Sequence, residues 1–238
     1  MDIAQVVTEI DRELRARSTP ERAQQEQRYL KSTLEHYGTT VPEIRSVAKT
    51  VRRQHAELDH DDLVTLVGAL WAAPVHERRT VTVELLVLYV DRLRPTDMAL
   101  LERLLRESRI WALVDALAAS VVGGLIERDP TSVATLDRWA TDDDFWIRRS
   151  ALLALLIALR KGEGDFERFS RYADAMLDEK EFFIRKAIGW VLRDTARKRP
   201  DMVYEWLLPR AARASGVTLR EAVKPLSDEQ RATVFAAR

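Results

Sequence analysis

Cysteine is absent from the 238 residues. That excludes disulfides, iron–sulfur clusters and thiolate-ligated zinc. Glycine and proline are scarce, with 8 of each, so the chain carries little turn material, and no Asn-Gly or Asp-Gly pair signals a tight hairpin. Histidine is scarce too. His36, His55, His60 and His76 show no metal-motif spacing, His55 and His60 being five apart and off one another's helical face. Asp59-His60-Asp61-Asp62 reads as a loop and helix N-cap. No metal and no cofactor is expected. The longest apolar run, Ala151 to Leu159, is bounded by Arg149 and Arg160. It is too short to span a bilayer and reads as a core helix. The N-terminal stretch MDIAQVVTEIDRELRAR is charged throughout, unlike a signal peptide. A cytoplasmic protein without membrane association is the expectation. Net charge is also missing, with 38 basic and 38 acidic residues. Any affinity for nucleic acid must then come from a local distribution of charge.

What remains is helix-forming. Hydrophobic residues make up 46% and charged residues 32%, the profile of a soluble globular chain. Ile3, Val6, Val7, Ile10 and Leu14 share one helical face, as do Leu63, Leu66, Val67, Leu70 and Trp71. Prolines sit at helix starts in Thr19-Pro20-Glu21, Arg94-Pro95-Thr96, Asp129-Pro130-Thr131 and Arg199-Pro200-Asp201. Charged residues recur at comparable places in four helices: Arg79, Asp115, Arg149 and Lys186, at intervals of 36, 34 and 37 residues. Such a period predicts paired helices stacked as a HEAT-like repeat solenoid. The fold expected is all-α, a single domain over residues 1–238, with those charged positions lining a concave face.

Three segments carry candidate chemistry. In EFFIRKAIGWVLRDTARKR (Glu181 to Arg199), Ile184, Ile188, Val191, Leu192 and Thr195 form an apolar seam. Phe183, Lys186, Trp190, Arg193 and Arg197 fall on the opposite side, within a sector of about 80°. From Glu179 to Arg199 there are seven basic and three acidic residues. Aromatics interleaved with cations suit phosphates together with a sugar or base. In IWALVDALAASVVGGLIE (Ile110 to Glu127), Trp111 and Asp115 are neighbours on one face, and Asp115 stands in an otherwise apolar helix with no cation within four residues. Gly123-Gly124 would admit a closely packed backbone or loosen the helix end. In DDDFWIRRSALLALLIAL (Asp142 to Leu159) the aspartates cap the helix, and Trp146 and Arg149 share a face.

Together these segments resemble the AlkD family of DNA alkylation repair enzymes, which are HEAT-like repeat DNA glycosylases. The resemblance rests on WALVD (Trp111 to Asp115), FWIRRSALL (Phe145 to Leu153) and EKEFFIRKAIGWVLRD (Glu179 to Asp194). It extends more faintly to QRYLKS (Gln27 to Ser32). It implies a curved helical solenoid that grips double-stranded DNA as a monomer. Trp111, Asp115 and Trp190 match the family's catalytic residues, and Arg149, or Arg148 beside it, matches its phosphate-facing arginine. Tyr29 is similar to a tyrosine of the N-terminal helices. Phe183, Lys186, Arg193 and Arg197 complete the expected DNA-binding surface. The implied activity is release of N3- or N7-alkylated purines such as 3-methyladenine and 7-methylguanine. The alternative is a catalytically inactive HEAT-like scaffold that binds damaged DNA or a protein partner.

Overall fold

The computed structural model describes residues 1–238. It is helical from end to end and has no strand, in keeping with the scarcity of turn residues. Its first helices are α1 (Ile3–Ala16), α2 (Pro20–Leu30), α3 (Val41–Gln54), α4 (His60–Trp71), α5 (His76–Leu88), α6 (Met98–Ser108), α7 (Trp111–Ala116) and α8 (Gly123–Arg128). They are followed by α9 (Ala134–Trp139), α10 (Phe145–Leu153), α11 (Leu156–Lys161), α12 (Phe166–Ala175), α13 (Phe182–Ala196), α14 (Pro200–Leu207), α15 (Gly216–Ala222) and α16 (Asp228–Ala236). No helix is long and apolar enough to cross a membrane.

Helix starts are set by short polar side chains that satisfy otherwise unpaired N–H groups. Asp59 accepts from the Asp62 amide at 2.9 Å, so the Asp59–Asp62 run is a cap, as its sequence suggests. Asp144 caps α10 in the same way, and Thr40 with Glu43 forms a reciprocal capping box on α3. Pro20 and Pro200 open α2 and α14.

Two stretches depart from expectation. The apolar run Ala151–Leu159 is two helices, broken at Ala154 and Leu155. A run apolar on every side carries no phase signal, so the break leaves no mark in the pattern. The stretch expected as one helix from Ile110 to Glu127 contains a π-helical segment, Leu117–Val122, between α7 and α8. Gly123 does admit a close backbone: a Cβ there would stand 2.6 Å from the Ala154 carbonyl oxygen.

The chain packs as two compact units, Met1–Asp97 with Ser108–Leu117, and Met98–Glu107 with Ala118–Arg238. In the first, α1 packs on α4 and α3 on α5. In the second, α13 is the hub, packed on α10, α11, α14 and α15. Its seam of Ile184, Ile188, Val191, Leu192 and Thr195 is buried as the helical spacing predicts. Helix α15 comes so close that a Cβ on Gly189 would stand 2.9 Å from the Thr218 carbonyl.

Each unit is also laced by polar contacts between residues about one repeat apart. In the second unit, Glu102 accepts from Arg106, Arg138 and the Trp139 indole, the last at a sequence separation of 37. Arg106 reaches Asp142, and Arg210 reaches Asp174, both at a separation of 36. Arg160 reaches Asp194 at 34. In the first unit, His60 meets Asp97 at 37 and Arg45 meets Glu84 at 39. These separations bracket the 34–37 residue interval read from the sequence.

Glu102 gives a pH test. Its hydrogen bond from Arg138, together with those from Trp139 and Arg106, outweighs burial and holds its carboxyl at about 2. A carboxyl depressed in the fold contributes stability above the unfolded value of 4.5 and loses it as pH falls toward about 2. Solvent screening keeps that contribution near 1 kcal/mol, about the upper limit for a partly exposed pair. Urea denaturation should therefore find Glu102→Gln less stable by about that amount at neutral pH, with the two curves converging in acid. Parallel curves from pH 7 to 3 would contradict the assignment.

Candidate active site

The candidate residues divide between the two units. Tyr29, Trp111 and Asp115 belong to the first. Tyr29 stands in the last turn of α2, which ends at Lys31 in the left-handed conformation, φ 50°. Its ring is 73% exposed, high for an aromatic side chain. Helix α7 begins after the extended Ile110, so Trp111 is its first residue and Asp115 follows one turn later. Arg109, just before, is the other non-glycine residue with positive φ, also 50°. Tyr29 meets Trp111 edge to face, with centroids 6.0 Å apart at 89°. Trp111 and Asp115 are both half-buried. Aromatic faces and a carboxylate on one short helix, beside an exposed tyrosine, favour a positively charged group next to them.

Arg148, Arg149, Phe183, Lys186, Trp190, Arg193 and Arg197 belong to the second unit. Here the cations differ in exposure and in partners. Arg149 is 2% exposed, so it is not a surface cation. Its guanidinium donates to the Phe183 carbonyl oxygen and lies 5.7 Å from the Phe183 ring centroid. Phe183 in turn packs on Trp146, centroids 4.8 Å apart, and stacks with Phe145. Arg148 is committed elsewhere: it donates twice to Glu179, at 2.9 and 2.8 Å, and to the carbonyls of Asp142 and Asp143. Arg193 is paired with Asp194 and Glu221. Of the cations expected on the α13 stripe, Lys186 and Arg197 are the ones that face solvent. Lys186 lies 5.9 Å from the ring centroid of Phe182, itself 51% exposed.

Trp190 is half-buried, and its indole N–H donates to Asp194 at 3.2 Å. Asp194 also accepts from Arg160 at 2.8 Å and Arg193 at 3.1 Å. Burial alone would raise the Asp194 carboxyl, but the two arginines outweigh it and hold it below the ordinary range. Asp194 is the residue that pattern reading missed, and a signal for it existed. Trp190 and Asp194 repeat the four-residue spacing of Trp111 and Asp115. The two pairs differ in burial: Asp194 is 3% exposed, whereas Asp115 is half-buried.

A family model described as DNA alkylation repair enzyme matches residues 10–226. Among solved structures, the chain is similar to a protein described as a predicted DNA alkylation repair enzyme from Enterococcus faecalis. The TM-score is 0.80 at 23% identity, over 89% of this chain and 98% of that one. It is also similar to AlkD2 from Streptococcus mutans, with a TM-score of 0.67 at 16% identity, over 95% of this chain and 100% of the other. A third likeness is to smu.31 from Streptococcus mutans UA159, with a TM-score of 0.60 at 18% identity, over 79% and 93%. No curated protein matches. At these identities the structures establish a shared all-α helical repeat fold.

Asp194→Asn tests whether Trp190 is held by that buried carboxylate. Removing its charge should cost about 2–3 kcal/mol in urea denaturation, because two guanidiniums and an indole N–H lose a charged acceptor. The near-ultraviolet circular dichroism from the tryptophans should weaken. Unchanged stability with an unchanged aromatic signal would show that Trp190 is positioned by packing alone.

Proposed function

The chain belongs to the DNA alkylation repair enzyme family, and from that membership we infer that it is a monofunctional DNA glycosylase releasing positively charged N3- or N7-alkylated purines from duplex DNA. The observation that carries this reading is local. Trp111 and Asp115 stand one turn apart on α7, and exposed Tyr29 meets Trp111 at 6.0 Å.

Alkylation at N3 or N7 places a positive charge on the purine. Such a base departs as a neutral molecule, so no general acid is required. The deoxyribose passes through an oxocarbenium-like state, as in glycoside hydrolysis. In this reading the Asp115 carboxylate stabilises that cation and positions the attacking water. The face of Trp111, on the same helix as Asp115, attracts positive charge through the ring quadrupole. No lysine lies near Asp115 in sequence to form a Schiff base, which suits an enzyme that leaves an abasic site. The lesion is engaged through its sugar, in contrast to glycosylases that flip the base into a pocket. Both small methyl and bulky cationic adducts would then be tolerated.

The phosphate contacts are assigned to exposed Lys186 and Arg197. Arg149, withdrawn into the core against Phe183, is assigned to holding that aromatic cluster.

Incubation with methylated duplex DNA, followed by chromatography of released bases, should show free 3-methyladenine or 7-methylguanine. Asp115→Asn should slow the release by about 100-fold or more, the scale of losing one electrostatic stabiliser. Duplex affinity should hold. If wild type releases no base from either methylated or bulky cationic substrates, the glycosylase assignment is wrong and the scaffold reading stands. Duplex affinity should also fall with rising salt. Lys186→Ala combined with Arg197→Ala should reduce the slope of log affinity against log salt by about 2. A wild-type affinity constant over a fourfold salt range would remove this surface from the DNA interface.

A further inference from the structure

We propose that Glu26, His36 and His76, all in the first unit, form a binding site for one divalent transition-metal ion of the zinc class. The three residues take no part in the proposed glycosylase site. Their sequence spacings of ten and forty residues match no metal motif.

The backbone brings them together. An isolated parallel bridge joins Glu35 to Val75. The Glu35 N–H donates to the Pro74 carbonyl and the His76 N–H to the Glu35 carbonyl, both at 2.9 Å. The bridge sets position 36 beside position 76. The loop that carries His36 is pinned by the fully buried Glu77 carboxylate, which accepts from the amides of Tyr37, Gly38 and Thr39. His76 is the first residue of α5, and Glu26 projects from α2. The two imidazoles stack with centroids 4.5 Å apart and planes 12° from parallel. One donor atom from each of the three residues can be chosen so that all lie within 4.8 Å of one another.

The donor atoms are buried and unsatisfied. Both ring nitrogens of His36, Nδ1 of His76 and Oε2 of Glu26 have no hydrogen-bond partner. The His36 side chain is 1% exposed and His76 3%. Leaving a polar group buried and unpaired costs about 1–3 kcal/mol, so this cluster carries several such penalties at one point. A single cation would relieve them together. The ligand set selects the ion: two imidazoles and one carboxylate suit zinc and its neighbours, whereas calcium and magnesium take oxygen ligands. Three protein ligands leave a fourth tetrahedral position for water.

Arg22 engages Oε1 of Glu26 at 3.4 Å and leaves Oε2 facing His36 Nδ1 at 3.8 Å. His36 also stands at the wall of a cleft with Gln24, Gln27 and Glu35. Ligands on one tetrahedral zinc stand about 3.3 Å apart with the metal in each ring plane. Loading therefore draws the donors inward and turns the imidazoles out of their stack.

The test is calorimetric titration of chelator-treated full-length protein with zinc chloride, paired with cobalt(II) absorption as a report of tetrahedral geometry. One ion per chain is expected. Glu26→Gln and His36→Gln, each checked for native circular dichroism, should weaken binding by about 100-fold. The control is His60→Gln, because His60 forms the other histidine–carboxylate cluster, 2.8 Å from Asp61 and 2.9 Å from Asp97; its affinity should be unchanged. Should a variant fail to fold, the imidazole resonances of His36 and His76 in wild type must shift on zinc addition while those of His60 stay. Absence of zinc binding overturns the proposal. So does a site lost in His60→Gln, or resonance shifts confined to His60.

Discussion

Polar contact between a residue and its counterpart one repeat later is the constraint on which each unit depends. A helix pair in such a fold cannot bury its apolar face alone and must stack on its neighbour. Apolar stacking is tolerant of sliding, because Leu and Ala surfaces resemble one another at several offsets. The pairs Arg106–Asp142, Arg160–Asp194 and Arg210–Asp174 are not tolerant of it. A shift of one turn, about 5.4 Å, would separate each pair and leave charge at a partly desolvated face. Their contribution is to register more than to overall stability, since partly exposed pairs are individually weak. Glycines work with them. Gly189 and Gly123 allow backbones to approach at the places where Thr218 and Ala154 lie against them.

With register fixed, one side-chain spacing serves two purposes. Trp111 with Asp115 and Trp190 with Asp194 are the same i, i+4 pair on different helices. Around Asp194 the contacts close in: Arg160 comes from α11 and Arg193 is the residue before it on α13. Its charge is spent inside the protein, and the indole of Trp190 is anchored by it. On α7 the carboxylate is half-buried, and the neighbouring indole is met by a tyrosine that is itself mostly exposed. Helical geometry cannot distinguish the two pairs; depth of burial does.

The same distinction marks how far the sequence could be read. The seam of α13 was legible because 3.6-residue periodicity places Ile184, Ile188, Val191 and Leu192 without knowledge of any partner. The caps at Asp59 and Asp144 were legible because their hydrogen bonds are local. The repeat interval was legible because charge recurs with it. Arg148 and Arg149 were not legible as structural residues. Their partners, Glu179 and the Phe183 carbonyl, lie 31 and 34 positions away, so the pattern showed two cations where the fold places two ties. The cluster of Glu26, His36 and His76 was hidden for a related reason. It is assembled by a single backbone bridge between two loops, and a bridge of that kind leaves no periodic trace.

Lys31 and Arg109 hold side chains where the backbone is left-handed. Each sits two residues from a candidate aromatic, Tyr29 and Trp111, so the bends that present those rings are made without glycine. A side chain in that conformation carries about 1 kcal/mol of steric strain or more. Glycine, common at left-handed helix ends, would relieve it. The molecule therefore has room for thermostabilisation at the very bends that shape its candidate aromatic pair. An engineer who took it would also loosen the hinge-like backbone beside Tyr29 and Trp111, exchanging a stiffer aromatic platform for a higher melting temperature.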